Sequence, residues 1–111
     1  MLSVFNREKD VHETASKIFS DGIMTLVMST IITNNGTSEE ELERKVGEKL
    51  HLDNIPEIVK EKVKSLEDLG VIERKYNMIV LTEFGVKVSK ILKDMLKIYY
   101  ETFTSPSLKK H

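Results

Sequence analysis

The sequence predicts a single, mainly α-helical domain over residues 1–103 that carries one small β-hairpin. Three observations predict this class. Before Gly70, apolar residues recur every three to four positions, which is the period of one helical face. After Gly70 the period shortens to about two, and after Thr82 it returns to the helical value. The length of 111 residues also fits one domain with its own core.

The first helical segment is predicted from Arg7 to about Thr33. Within it, Ser20-Asp21-Gly22 offers a break with an N-cap, which would divide the segment into two helices. The run IMTLVMSTII that follows is apolar on nearly all sides, as is typical of a helix at the centre of a small domain. We expect this helix to end at Asn34-Asn35-Gly36, because these residues favour a left-handed turn.

Two further helices are predicted before Gly70. Ser38 begins the first of them, since Glu41 three residues later completes a capping box. For the second, Asn54 can act as the cap and Pro56 can occupy the first turn. The inward faces of these two helices are predicted to contain Leu42, Val46, Leu50, Ile55, Val59, Val63, Leu66 and Leu69.

The hairpin and a last helix complete the domain. Residues 71–75 and 78–81 are predicted strands joined across Tyr76-Asn77, and Thr82 can cap a helix from Glu83 to about Phe103. The apolar stripe of this helix is broader than one contact within a domain needs. It consists of Phe84, Val88, Ile91, Leu92, Met95, Leu96, Tyr99, Tyr100 and Phe103. Residues 104–111 are expected to form a disordered polar tail.

Composition and motifs argue against several classes of function. The absence of cysteine excludes a disulfide scaffold and a cysteine nucleophile, and the 17 basic residues balance 18 acidic ones. His12, His51 and His111 have no partner at ligand spacing, and no phosphate-binding loop is present. We therefore expect no enzymatic activity, cofactor, metal or small-molecule ligand. No signal peptide or membrane-spanning run is visible, so the cytoplasm is the expected compartment and no membrane partner is expected.

The segment LEDLGVIERKYNMIVLTEFGVKVSKIL carries a family resemblance. It is similar to the "LxxLGLIxR … xLTEKG" junction of small MarR- and PadR-type regulators and of their archaeal, viral and plasmid relatives. The similarity covers roughly Ile23 to Leu92, and it implies a winged helix-turn-helix fold with extended N- and C-terminal helices. In such a fold the helix that begins at Ile55 enters the major groove of DNA, and the hairpin wing contacts the phosphate backbone or minor groove. One departure is the turn GEKLHLDN, which is longer than the usual tight turn.

The resemblance implies a sequence-specific transcriptional regulator that binds double-stranded DNA as a homodimer. The candidate DNA contacts are Lys60 and Lys64 on the helix and Arg74, Lys75, Tyr76 and Asn77 on the hairpin. Two alternatives stay open. The two helical lysines can instead pair with Glu57, Glu61 and Asp68 along their own helix, and any hairpin tip tends to be polar.

The wide stripe of the last helix is the candidate dimer interface, because winged-helix regulators usually pair through terminal helices. Its candidate residues are Val88, Ile91, Leu92, Met95 and Tyr99, and the alternative is that they form domain core. The N-terminal helix, with Val4, Phe5 and Val11, is a further candidate for this interface.

Local charge keeps other functions open. Residues 55–69 hold three lysines against four acidic residues, and the preceding helix is also acid-rich, so both would repel phosphates. An alternative function is therefore a protein–protein interaction module that docks through this acidic surface. A second alternative is a centromere-binding protein in plasmid or phage partition, which would use the same DNA contacts.

Overall fold

A computed structural model describes residues 2–104, with side chains described from Asp10 to Thr104. The elements in chain order are α1 (Leu2–Phe19), α2 (Gly22–Thr33), α3 (Glu39–Lys49), α4 (Ile55–Asp68), β1 (Ile72–Lys75), β2 (Met78–Leu81) and α5 (Glu83–Phe103). This confirms the mainly helical class with one small antiparallel hairpin. Apart from Thr104, which caps α5, the predicted tail lies outside the described residues.

Side-chain caps set most of the helix boundaries. Asp21 accepts a hydrogen bond from the Met24 amide at 2.9 Å, which confirms the predicted division between α1 and α2. Ser38 and Thr82 cap α3 and α5 in the same way. The prediction that the Asn54 side chain caps α4 is wrong. Its φ of −117° and ψ of 48° lie outside the extended region from which a cap side chain reaches the first free amides.

The hairpin is joined to the helical part of the chain by a further backbone bridge. β1 and β2 are antiparallel, with Ile72 opposite Leu81 and the turn at Tyr76-Asn77, as predicted. On the other edge of β2, the Ile79 amide donates to the Thr37 carbonyl at 2.7 Å, and the Thr37 amide donates back at 3.2 Å. The segment that precedes α3 therefore lies beside β2 as a third, single-residue strand.

All of the elements contribute to one core. Most of the predicted inward positions are confirmed, since Leu42, Val46, Val59, Val63 and Leu66 are fully buried and Ile55 is nearly so. Leu50 and Leu69, which were also predicted to face inward, are partly buried just beyond the ends of α3 and α4. The remaining core residues are Ala15, Ile18, Val27, Met28, Ile31, Val71, Ile72, Ile79, Val88 and Leu92. α2 packs against α1, α3 and α4, while α1 and α5 pack extensively on each other. The two terminal helices therefore form one side of the molecule, and α3, α4 and the hairpin form another.

Gly85, in the first turn of α5, marks a close approach of two backbone segments. A Cβ atom at this position would lie 1.9 Å from the Val71 carbonyl oxygen, so a larger residue cannot be accommodated without a shift of the backbone. Thr82 reinforces the contact, because its amide donates to the same carbonyl at 3.0 Å. This turn therefore fixes where α5 leaves the hairpin.

Among the described residues, no single helix has the length and hydropathy needed to cross a membrane. Residues Asp10–Phe19 and Gly22–Thr33 reach that length and hydropathy only as a pair, and the two helices meet at a bend of 113°.

Candidate functional site

Arg74 of β1 ties the hairpin to both α3 and α4. Its Nη2 donates to the Glu39 Oε1 at 2.6 Å, and its Nε lies 3.5 Å from the Glu67 Oε1. The hydrogen bond to Glu39 is the main reason why the pKa of Arg74 is raised above its usual value. Two carboxylates therefore pair with the guanidinium and hold the base of the hairpin in place, while the Arg74 side chain stays partly exposed. That Arg74 contacts a phosphate stays a prediction.

Lys60 and Lys64 are both exposed on the outer face of α4. Within the described residues, neither ammonium group lies within 4.0 Å of a carboxylate. The alternative in which they pair with Glu57, Glu61 and Asp68 is therefore not realised in this structure. Both lysines are available to a partner.

Lys62, which lies between them in sequence, has a different role. Its Nζ is 2.8 Å from the Asp21 Oδ2 and 3.6 Å from the Glu61 Oε1, and the side chain is mostly buried. The hydrogen bond from Lys62 is the largest cause of a lowered pKa at Asp21, and it raises the pKa of Lys62 in turn. The pair joins the start of α2 to the middle of α4 and so orients the helix that carries the two exposed lysines. Because 41 residues separate the partners, no local sequence pattern revealed this pair.

The tip of the hairpin extends into solvent. Tyr76 and Asn77 have φ values of 53° and 66°, the positive values that a type I′ turn requires at both central positions. The Tyr76 side chain is 99% exposed, and Asn77 and Met78 are also exposed. Lys75 lies 3.7 Å from Glu73 in a weak, exposed ion pair. The tip therefore presents one cation, one aromatic ring and one amide.

The cations of α3 are largely used within the helix and its surroundings. Arg44 bonds Glu41, and also Glu48 at 2.8 Å, and this contact with Glu41 lowers the pKa of that carboxyl. Lys45 donates to the amide oxygen of Asn34. The face formed by α3, α4 and the hairpin is thus mixed in charge. Among the described residues, its exposed lysines without a carboxylate within 4.0 Å are Lys49, Lys60 and Lys64, and Lys75 is only weakly paired.

The candidate dimer residues of α5 divide into two groups. Val88 and Leu92 have no exposed surface, so they belong to the core of the protomer, and the candidate interface is corrected by leaving them out. Ile91 and Met95 are half-buried against that core, while Tyr99 is more than half exposed. The exposed surface continues instead along Ile98, Tyr100 and Phe103, each more than 60% exposed. Ile98 was not among the predicted interface residues, although its size and its position next to Tyr99 are signals in the sequence.

A shallow apolar groove of about 400 Å³ lies between the end of α1 and the end of α5. It is lined by Phe19, Met95, Ile98, Tyr99, Thr102 and Phe103. The Tyr99 ring packs edge-on against Phe19 at 6.0 Å and contacts Phe103 at 4.6 Å, measured between ring centroids. Val11 is half-buried in α1, whereas the side chains of Val4 and Phe5 lie outside the described residues.

Between Asp10 and Thr104, no group of three or more His, Asp or Glu side chains is placed to hold a metal ion. The chain matches no protein-family model, and no curated protein matches it significantly. The assignment of a function therefore rests on the geometry of two surfaces. One is the face formed by α3, α4 and the hairpin, and the other is the exposed end of α5 with its groove.

Proposed function

We propose that the chain is a winged-helix protein that binds double-stranded DNA as a homodimer and regulates transcription at specific sequences. The arrangement of α3, α4 and the hairpin supports this most directly. Two helices joined by five residues are followed by an antiparallel hairpin, and Thr37 adds a strand residue on the far edge of β2. Arg74 fastens this hairpin beside α4, which would place a wing next to a recognition helix.

In this proposal α4 enters the major groove, which is wide enough for a helix. Lys60 and Lys64 would contact phosphates or guanine, while carboxylates such as Glu57 and Glu61 can accept hydrogen bonds from the cytosine amino group. A mixed-charge face suits base reading with few phosphate contacts. We therefore expect weaker salt dependence than a strongly basic protein shows.

The C-terminal half of α5 would join two copies. Ile98, Tyr100 and Phe103 expose a run of large apolar side chains next to the groove at Tyr99, and such surfaces are typical of interaction sites. Two-fold pairing would place two recognition helices on successive turns of DNA.

The test is fluorescence anisotropy on duplex DNA over a range of salt, with two double variants. Lys60→Ala with Lys64→Ala removes two charges from α4, and Lys90→Ala with Lys93→Ala removes two exposed charges from α5. We expect at least tenfold weaker binding and a shallower salt dependence for the first pair only. Equal losses for both pairs would mean that general charge, not α4, governs binding.

A second candidate is a protein-docking module, and the internal neutralisation of Arg74 favours it. With that charge used by Glu39 and Glu67, acidic side chains outnumber the available lysines on the outer face of α4. Such a face would suit a basic protein partner. Absence of DNA binding even at low salt would support this candidate. A role in plasmid or phage partition uses the same DNA surface and shares the DNA-binding test.

A further inference from the structure

Two of the five glycines follow a residue whose side chain can react with the backbone, at Asp21-Gly22 and Asn35-Gly36. In both pairs the glycine nitrogen can attack the carbonyl carbon of the preceding side chain and close a five-membered succinimide ring. Glycine permits this attack because it has no Cβ atom to obstruct the approach. The surroundings of each pair in the fold therefore decide which of them reacts.

Asp21-Gly22 is protected by the hydrogen bonds of the Asp21 carboxylate. A carboxylate is a poor electrophile, so an aspartate closes the ring only when its carboxyl group is protonated. The Asp21 Oδ1 accepts from the Met24 amide at 2.9 Å, and the Oδ2 accepts from the Lys62 Nζ at 2.8 Å. Both contacts lower the pKa of Asp21, so the group is ionised at neutral pH. We expect this pair to be inert.

The Asn35 side chain, in contrast, is uncharged, exposed and loosely held. Its Oδ1 accepts from the Leu81 amide at 3.3 Å, which is long for a hydrogen bond. An amide carbonyl carbon can be attacked without prior protonation, and the exposed position gives water access to the ring that forms. Asn35 is therefore the reactive electrophile of the two pairs.

The Gly36 nitrogen is the nucleophile, and the acceptor of its hydrogen bond is shared. The Gly36 and Thr37 amides both donate to the Ile79 carbonyl, each at 3.2 Å. The shortest bond of the bridge runs the other way, from the Ile79 amide to the Thr37 carbonyl at 2.7 Å, and it does not involve Gly36. No heavy atom outside the neighbouring residues lies within 4 Å of a Cβ atom built at Gly36, so the space beside it is open. The Gly36 amide can therefore leave its acceptor while the bridge stays in place.

We propose that Asn35 is a site of spontaneous deamidation in the folded protein. The Gly36 nitrogen forms a bond to the Asn35 Cγ and loses its proton, and the bond from Cγ to the side-chain nitrogen breaks to release ammonia. Water then opens the succinimide at one of its two carbonyl carbons and leaves either aspartate or isoaspartate at position 35. Water is the only co-reactant, and no oxidation or reduction takes place.

The two products differ in their effect on the fold. Isoaspartate adds one carbon to the main chain before Thr37, and its former side-chain carbonyl, which accepted from Leu81, becomes part of the backbone. An insertion in one strand disrupts the ladder locally, so the pairing of Thr37 with Ile79 is weakened. Aspartate keeps an oxygen in place for the Leu81 amide. Isoaspartate therefore loosens the hairpin from the connection between α2 and α3, whatever partner the chain binds.

The experiment follows the folded wild type at mildly alkaline pH by peptide mapping that distinguishes asparagine, aspartate and isoaspartate. Because opening an exposed turn costs little free energy, we expect the rate at Asn35 to lie within about a hundredfold of the rate in guanidinium chloride. A larger suppression in the folded chain would show that the bridge protects the pair, and it would overturn the inference. Asn77, which is also exposed but precedes Met78, is the internal control and should stay unconverted together with Asp21.

Asn35→Gln is the matched variant, because it keeps an amide at this position but can close only a less favourable six-membered ring. Its mass should stay constant under conditions in which the mass of the wild type rises by the difference between an amide and a carboxyl group. The same rise in Asn35→Gln would place the reaction at another residue and overturn the inference.

Thermal melting tests the assigned consequence. The isoaspartate form, separated by ion exchange, should melt about 5 °C below the wild type, as expected for the loss of roughly one hydrogen-bonded contact in a domain of this size. Asn35→Asp should melt close to the wild type. An isoaspartate form that melts as the wild type does would contradict the loosening of the hairpin.

Discussion

The face formed by α3, α4 and the hairpin differs from the exposed end of α5 in how its side chains are used. On the first face most charges are paired internally, as with Arg74 between Glu39 and Glu67, and only a few lysines remain available. At the end of α5, large apolar side chains are exposed beyond what the core requires, at Ile98 and Phe103 among others. The residue types alone do not show which side chains of either region can contact a partner. The side chains that are used neither in internal ion pairs nor in the core are a better guide to function.

The largest effect is expected at Gly85, where the first turn of α5 meets the residue that precedes β1. Gly85→Ala would place a Cβ atom 1.9 Å from the Val71 carbonyl oxygen, so α5 must shift away from the hairpin. We expect a loss of roughly 3 kcal/mol in the free energy of unfolding. Urea denaturation followed by circular dichroism measures it.

Gly22→Ala is the matched control, because no heavy atom lies within 4 Å of a Cβ at that position. In the first turn of α2, alanine should be neutral or stabilising by up to about 1 kcal/mol. Similar losses in both variants would contradict the close contact at Gly85.

The exposed end of α5 can be tested by introducing a charge that leaves the core untouched. Ile98→Lys should weaken self-association by about 100-fold, equivalent to roughly 3 kcal/mol, because an unpaired ammonium would be buried in the interface. Val86→Lys alters another exposed apolar residue of α5 and should leave the mass unchanged. Light scattering across a concentration series distinguishes them. A dimer mass for Ile98→Lys at every concentration would exclude this surface as the interface.

A smaller effect is expected at the ion pair that orients α4. Asp21→Asn keeps the N-cap of α2 but removes the charge that faces Lys62, and we expect a loss of about 1 kcal/mol at pH 7. Because the pKa of Asp21 is lowered in the folded protein, its contribution is present above the unfolded pKa. It is lost as the pH falls through the folded pKa.

The raised pKa of Lys62 sets the alkaline limit of the pH range in which the Asp21–Lys62 pair stabilises the fold. Its contribution is complete below the ordinary lysine pKa and is lost as the pH rises through the folded value. Denaturation of Asp21→Asn and of the wild type from about pH 2 to pH 7 measures the acid limit. An equal stability difference at both ends of that range would contradict the assigned role of the pair.

Local sequence signals predicted the fold well because they act over a few residues. The side-chain caps at Asp21 and Ser38 and the two-residue turn all follow from neighbouring residues, although Glu41 pairs with Arg44 and does not complete the predicted capping box. Asn54 was the exception, since its backbone conformation, not its residue type, decided whether it capped.

The site was harder to predict because it depends on contacts between distant residues. Arg74 looked like a free wing cation, yet its partners lie 35 residues before it and on another helix. Val88 and Leu92 shared a stripe with Tyr99, but helical periodicity cannot distinguish residues that face the core from residues that face a partner. The role of Gly85 also required the position of Val71, which only the folded chain supplies.

The most direct test of the DNA-binding proposal is the salt dependence of wild-type binding to a random-sequence duplex, measured by anisotropy. If Lys60, Lys64 and Lys75 of each protomer contact phosphates, a dimer makes six such contacts. The slope of log affinity against log salt should then be about −5, whereas a free Arg74 would make it about −7. A slope near −5 supports the account, and no binding at low salt would contradict it.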